Sequence, residues 1–386
     1  MVNLWERFNM SGILQSLFAN MRSFGVATAE GQLWAWGGNT NGRLGDNSTT
    51  NRSSPVQIGS DEDWVKGASG VYHVLQPNSE GELYSWGRGT TYSTGQGSNS
   101  HLSNPTQIGS LTTWGKVAAG QYSSASIKTD GTLWTWGANG DGQLGLGNTT
   151  TPITSPVQVG SLTNWASISM AGQNMHVINE DGELFGCGFR TAVGNSSADT
   201  GVSSLVQIGS LTNWAQVSNG GTATQSCCIA VKTDNTLWSW GFNPVGQLGT
   251  GNTTTRTSPV QIGSLTTWLK VAAANSFAFA IKTDGTLWSW GLNDNGALGD
   301  GTYTNRSSPV QIGSLTTWTE VAGHAFTGQA IEDGKMYMWG YGGLGENAQG
   351  SSKGIQLNPI QVGSLTTWKT CNQNPNGQII HGIKSS

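Results

Sequence analysis

Residues 133–147 read LWTWGANGDGQLGLG. The phrase returns as LWSWGFNPVGQLGTG at 237–251 and as LWSWGLNDNGALGDG at 287–301. Each copy sets two tryptophans two residues apart and follows them with a glycine-rich stretch. Taking the second tryptophan as a ruler gives Trp36, Trp86, Trp136, Cys187, Trp240, Trp290 and Trp339, seven marks spaced by 50, 50, 51, 53, 50 and 49 residues. Cys187, in LFGCG, is the one degenerate copy. A second ruler is the tryptophan closing GSLTTW: Trp64, Trp114, Trp165, Trp214, Trp268, Trp318 and Trp368. Seventeen of the 18 tryptophans are therefore repeat positions, which gives them a structural role first.

Each repeat reads as four short strands. In the third copy these are KVAAG (116–120), SASIKT (124–129), LWTWG (133–137) and PVQVG (156–160). Asp-Gly between the second and third strands predicts a two-residue hairpin turn with positive φ at both central positions. The small first strand suits an axis where neighbours crowd. The fourth strand opens with proline in six of seven copies, Leu205 being the exception, and proline belongs on an outer edge. A four-stranded unit cannot bury both faces alone, and a closed ring of seven solves this. The sequence predicts an all-β fold, a seven-bladed β-propeller of four-stranded antiparallel blades over residues 23–386.

The chain ends do not match. GSLTTWKTCNQNPNGQIIHGIKSS starts an eighth repeat and stops after two strands, whereas FGVATAEGQLWAWG (24–37) reads from a second strand onward. A strand near Lys369–Asn372 is expected to close the first blade. Residues 1–22 stand apart; Leu4, Trp5, Phe8, Leu14, Leu17, Phe18 and Met21 recur at helical spacing, which predicts either a docking helix for an assembly partner or a degenerate inner strand.

VAAGQYSSASIKTDGTLWTWGANGDGQLGLG (117–147) resembles the RCC1-like repeat family, and the resemblance covers roughly residues 14–384. It implies the same propeller and leaves function open, because one fold hosts many activities. The GSLTTW linkers are similar to those of bacterial and phage members. Members that exchange nucleotide on a small GTPase carry acidic and histidine-bearing loops; the matching loops here read GQYSS, GQNMH and AANSF. The Gly-Trp-Arg-His-Thr motif of ultraviolet-sensing members does not occur.

Glycine makes up 57 of 386 residues, about twice the usual share, and only 10% of residues are charged. The net charge of −4 is spread along the chain, without a basic patch for nucleic acid. No run of about 18 apolar residues predicts a membrane span. Cys187, Cys227, Cys228 and Cys371 lack metal-ligand spacing, and the five histidines are scattered. Residues 293–301, NDNGALGDG, have only part of a calcium loop's acids. TDGTLW differs in order from the sialidase Asp-box, and no arginine triad accompanies it. The chain is read as a non-enzyme needing no cofactor.

Two connections keep their length in every repeat, the strand 2–3 turn and the linker into GSLTTW. The other two vary, with four extra residues near Gly220–Gln225. In an antiparallel blade the variable pair lies on one face, where binding residues concentrate. Tyr72, Tyr122 and Phe326, which share a repeat position, are the candidate contacts, together with Tyr92, Arg43, Arg88, Arg190, Tyr303 and Tyr341. The preferred function is a binding and display scaffold for a protein or glycan partner, on a virion or cell surface. The alternatives are a regulatory module for a small GTPase or chromatin and, least favoured, a glycan-active enzyme.

Overall fold

Blade 3 shows how one repeat folds. Trp114–Ala119, Ser123–Lys128, Leu133–Gly137 and Ile153–Gln158 pair in sequence order, each antiparallel to the last. The structure, a computed structural model, describes residues 30–196, 201–222, 224–350 and 354–385. Within them lie seven such four-stranded sheets. The first strands of successive blades contact one another, so they form the inner ring around the axis. Their small residues, such as Ala118 and Ala119, permit that approach.

The second tryptophan of each signature latches one blade to the one before it. Trp290 is fully buried and donates its indole N–H to the Gln247 carbonyl of the preceding blade, 3.0 Å away. Trp86, Trp136, Trp240, Trp339 and Trp36 make the same bond to Arg43, Ser93, Ala192, Ala297 and Glu346, all at 2.9–3.0 Å. Cys187 keeps the bond in weaker form, its thiol facing the Gln143 carbonyl at 3.7 Å. The repeat position therefore demands a buried donor as well as bulk. Trp290→Ala is expected to destabilise the protein by about 3–5 kcal/mol, the range for truncating a large core aromatic. Urea unfolding followed by tryptophan fluorescence checks this; an unchanged midpoint would remove the latch.

Two local expectations are corrected. The strand 2–3 turn is not a two-residue hairpin in most blades. In blade 3, Gly131 N–H donates to Lys128 O and Lys128 N–H to Thr132 O, and only Gly131, at φ 76°, is left-handed. That is a type I turn followed by a glycine bulge, three residues long. The Asp130 side chain favours it by accepting from both the backbone and hydroxyl of Thr132. Only Asp333-Gly334, at φ 48° and 71°, takes positive φ at both positions. The outer strand also begins three residues before its proline: Pro156 lies inside Ile153–Gln158, where the pairing register shifts. A residue without an amide donor is tolerated at such an irregularity on an edge.

Blade 1 is assembled from both ends of the propeller. Gln32–Gly37 and Arg52–Gln57 form its outer half, Trp368–Cys371 and Ile379–Lys384 its inner half. The place expected for a strand starting at Phe24 is filled by Ile379–Lys384, because Ile379, Ile380 and Ile383 supply its buried residues. The expected docking segment, residues 1–22, lies outside the described residues.

Candidate functional site

The two variable connections share one face. Arg88 N–H, just after Trp86-Gly87, donates to Tyr72 O in the strand 1–2 loop, and Ala138 and Tyr341 repeat the bond to Tyr122 and Phe326. The constant connections meet at the other end, where Trp114 N–H donates to Gly81 O and Trp165 N–H to Gly131 O. The long loops are rigidly tied. Asn139 is fully buried; its amide donates to Asn148 O and Thr150 O, and its carbonyl accepts from Leu144 N–H. Asn39, Asn243 and Asn293 do the same in their blades. In residues 293–301 the Asp300 carboxylate is fully engaged by Asn293, Thr302 and Arg306.

Three of the sequence-selected residues come together on this loop face. The Tyr72 and Tyr122 rings stack with centroids 5.0 Å apart and planes 17° from parallel. The Arg88 guanidinium stands 5.1 Å from the first centroid and 5.7 Å from the second. Burial, with a hydrogen bond to the Tyr72 hydroxyl, pushes the Tyr122 phenol up. All three side chains are half-buried, anchored yet reachable. Phe326 and Tyr341 form a second, edge-to-face pair at 6.3 Å in blade 7. Arg190 is exposed beside its neighbour Phe189, and Tyr303 is exposed and apart from both pairs. Tyr92 is half-buried in a left-handed turn position at φ 58°. Arg43 is corrected. It is 6% exposed and donates to Val71 O, so it braces the loops from behind and is not a surface contact.

The opposite face carries features outside the sequence-selected set. Two residues after each linker tryptophan stand Lys66, Lys116, Ser167, Gln216, Lys270, Glu320 and Thr370. Several of these bond an adjacent blade across the inner edge, where strand backbone would otherwise lie unpaired. Lys116 Nζ donates to Ala166 O at 2.6 Å. Gln216 donates to Val271 O and accepts its N–H. Glu320 accepts from Lys270 at 2.5 Å and from Lys66 at 3.1 Å. Burial alone would raise the Glu320 carboxyl; the two lysines more than offset it and hold it at about 2. On the loop face a longer connection, Asn372–Gln378, crosses the axis. Gln373 reaches Ser218 Oγ and Ala273 O, and the Asn376 amide donates to Gly221 O in the expanded blade 5 loop. Alternation of polar and apolar residues in the first strand is the only sequence signal for this ring, and it is indistinguishable from ordinary strand patterning.

His73, His176, His324 and His381 are buried and bonded to Ser124, Val193 O, Gln329 and Ser69. All four cysteines are buried and free. Among the described residues no group of three or more His, Cys, Asp or Glu is placed to hold a metal, and no helix is long and apolar enough to cross a membrane.

The regulator of chromosome condensation (RCC1) repeat pattern matches residues 30–75, 80–127, 130–178, 234–281 and 284–327, more than half of the sequence. The chain belongs to the RCC1 repeat family. The unmatched interval after residue 178 holds Cys187, Leu205 and the lengthened blade 5 loop, all departures from the repeat. No curated protein matches the sequence. Among solved structures, Prp20p from Saccharomyces cerevisiae, described with its binding to Gsp1p and histones, is 19% identical with a TM-score of 0.81, covering 96% of this chain and 95% of that one. Yeast RCC1 (Prp20) bound to Kap60 is 18% identical with a TM-score of 0.81, over 96% and 92%. Human WBSCR16 is 16% identical with a TM-score of 0.79, over 93% and 99%. At these identities the likeness is one of fold.

Proposed function

We propose that this RCC1-repeat propeller is a non-enzymatic binding module that engages a protein partner through its loop face, centred on Tyr72, Arg88 and Tyr122. The observation that supports this most is the stack itself. Side chains from two blades meet on loops tied by backbone bonds, Arg88 N–H to Tyr72 O and Ala138 N–H to Tyr122 O. Tyrosine and arginine are the side chains most often found at energetic centres of interfaces, because they bring large contact area with little flexibility. A guanidinium set against aromatic faces keeps outward N–H groups for carboxylates or carbonyls. Prp20p, of the same fold, binds Gsp1p and histones. A basic partner tail such as a histone's suits the present stack poorly, since its charged member is Arg88, so an acidic or neutral protein surface fits better. The loops around it lack an acidic cluster that would favour the GTPase reading.

The test is affinity capture from the cells of origin with wild-type protein and a Tyr72→Ala/Arg88→Glu variant side by side. The variant is expected to lose the captured protein by at least about tenfold, since interface centres contribute 2 kcal/mol or more, while its melting temperature stays unchanged. A partner held equally by both would overturn the assignment. A glycan array run with the same pair separates the protein from the glycan reading: variant-sensitive glycan binding would replace the protein partner.

A further inference from the structure

The axis of the ring is hollow on one side. A cavity of about 470 Å³ runs along the first strands of blades 2 to 5, a volume within the usual range for small-molecule sites. Gln373 and Pro375, from the C-terminal connection, form part of its wall on the loop-face side. Its wall includes Lys66, Lys116 and Lys128 and contains no aspartate or glutamate. Glu320, outside the wall, is clamped by Lys66 and Lys270.

From this we infer that the axial cavity binds a small organic anion bearing a phosphate or several carboxylates. Lys116 is the centre of the argument. Its ammonium has three donors; one goes to Ala166 O, and no carboxylate among the described residues lies within ion-pair distance of it. Lys128 lies over the Trp134 ring, 3.6 Å from its centroid, which fixes the ammonium without neutralising it. Burial lowers both amines, and the more distant carboxylates of Glu180 and Asp130 offset this only in part. An anion in the cavity relieves that cost and takes up the free donors. Ser167 and Ser169 add hydroxyls to the wall, and the half-buried Val117 and Ile168 suit a short carbon skeleton. A volume of about 470 Å³ is too small for a nucleic acid strand. The site is independent of the Tyr72–Arg88–Tyr122 stack, so either can fail alone.

Titration calorimetry with sodium citrate and, separately, inorganic pyrophosphate tests this on the wild type and on Lys116→Gln, Lys128→Gln and Tyr72→Ala. The expected result is saturable one-to-one binding of at least one probe, weakened about tenfold by Lys116→Gln, as for loss of one charged hydrogen bond, and unaffected by Tyr72→Ala. Citrate alone assigns the carboxylate class and pyrophosphate alone the phosphate class. Should Lys116→Gln not fold, Lys128→Gln and amide chemical-shift mapping of the wild type carry the test. Shifts at Lys66, Lys116, Ser167 and Gln216 support the site. No heat from either probe at millimolar concentration, equal binding by the lysine variants, or shifts confined to the outer surface overturns it.

Discussion

Lowering the pH from 7 to 5 is expected to remove most of the folding stability of this propeller. Four histidines are fully buried, and burial holds His73 and His381 at about 3 and His176 and His324 at about 4. Their partners are hydroxyls, a carbonyl, an amide and the Cys228 thiol; none is a carboxylate that would welcome a proton. The fold therefore holds the neutral rings. An unfolded chain protonates them near their ordinary value of 6.5. Stability is fully present above 6.5 and falls as the pH drops toward the folded values. At pH 5 each histidine costs about 2 kcal/mol, or about 8 kcal/mol together, comparable to the whole stability of an ordinary domain. Glu320 does not contribute in this window, because its stabilisation is lost only as the pH falls from about 4.5 toward 2. Urea midpoints measured from pH 7.5 to 5 should fall steeply, and His73→Gln should flatten the slope by about a quarter. Flat midpoints, or a slope indifferent to that substitution, would remove the buried neutral histidines as the cause.

The fold was legible because its repeat acts on many residues at once. Six evenly spaced signature tryptophans, seven linkers and a proline on most outer edges point the same way, and no single lapse, such as Cys187, misleads. Turn type was less legible. Asp-Gly permits both a two-residue hairpin and a three-residue loop with a glycine bulge, and the preceding threonine's place in the turn is set by pairing that the dipeptide does not encode. Sequence also separated the two faces, since variable length marks a loop freed from packing. Depth within that face was not readable: Arg43 and Arg88 stand in comparable glycine-rich loops, yet one is 6% exposed and the other lies over two rings. The linker leucines invert the usual reading. Leu111, Leu162, Leu211, Leu265, Leu315 and Leu365 repeat faithfully beside a core tryptophan, yet each is at least 39% exposed. The axial cavity escaped because its wall comes from residues about fifty positions apart, each unremarkable in its own strand.

A chain ending at Asn372 is expected to lose cooperative folding altogether, while a circular permutant joining Ser385 directly to Glu30 should fold. Truncation removes Ile379, Ile380 and Ile383, all at 0% exposure, and exposes the inner edge of the strand Gln32–Gly37. Three buried isoleucines represent roughly 6–15 kcal/mol, as much as a domain has. The permutant follows from the register of blade 1. Ile383 pairs with Leu33 and Lys384 with Gln32, as Ile127 pairs with Leu133 in blade 3. Ser385 N–H donates to Thr367 O as Thr129 N–H does to Thr113 O, and Gly31 and Trp64 exchange backbone bonds where Gly131 accepts from Trp165. Joined, the ends read KSEGQLW, against KTDGTLW in blade 3. The break in blade 1 is thus a missing strand 2–3 turn, and the junction restores it with residues already in place. Opened instead between Asp284 and Gly285, the permutant omits residues 1–29 and keeps every blade. Its thermal transition should be cooperative and close to wild type, because the opening moves from the strand 2–3 turn of blade 1 to the equivalent turn of blade 6, where strand pairing likewise closes the ring. A permutant that does not fold would mean that residues 1–29 contribute more to the propeller than the restored turn replaces.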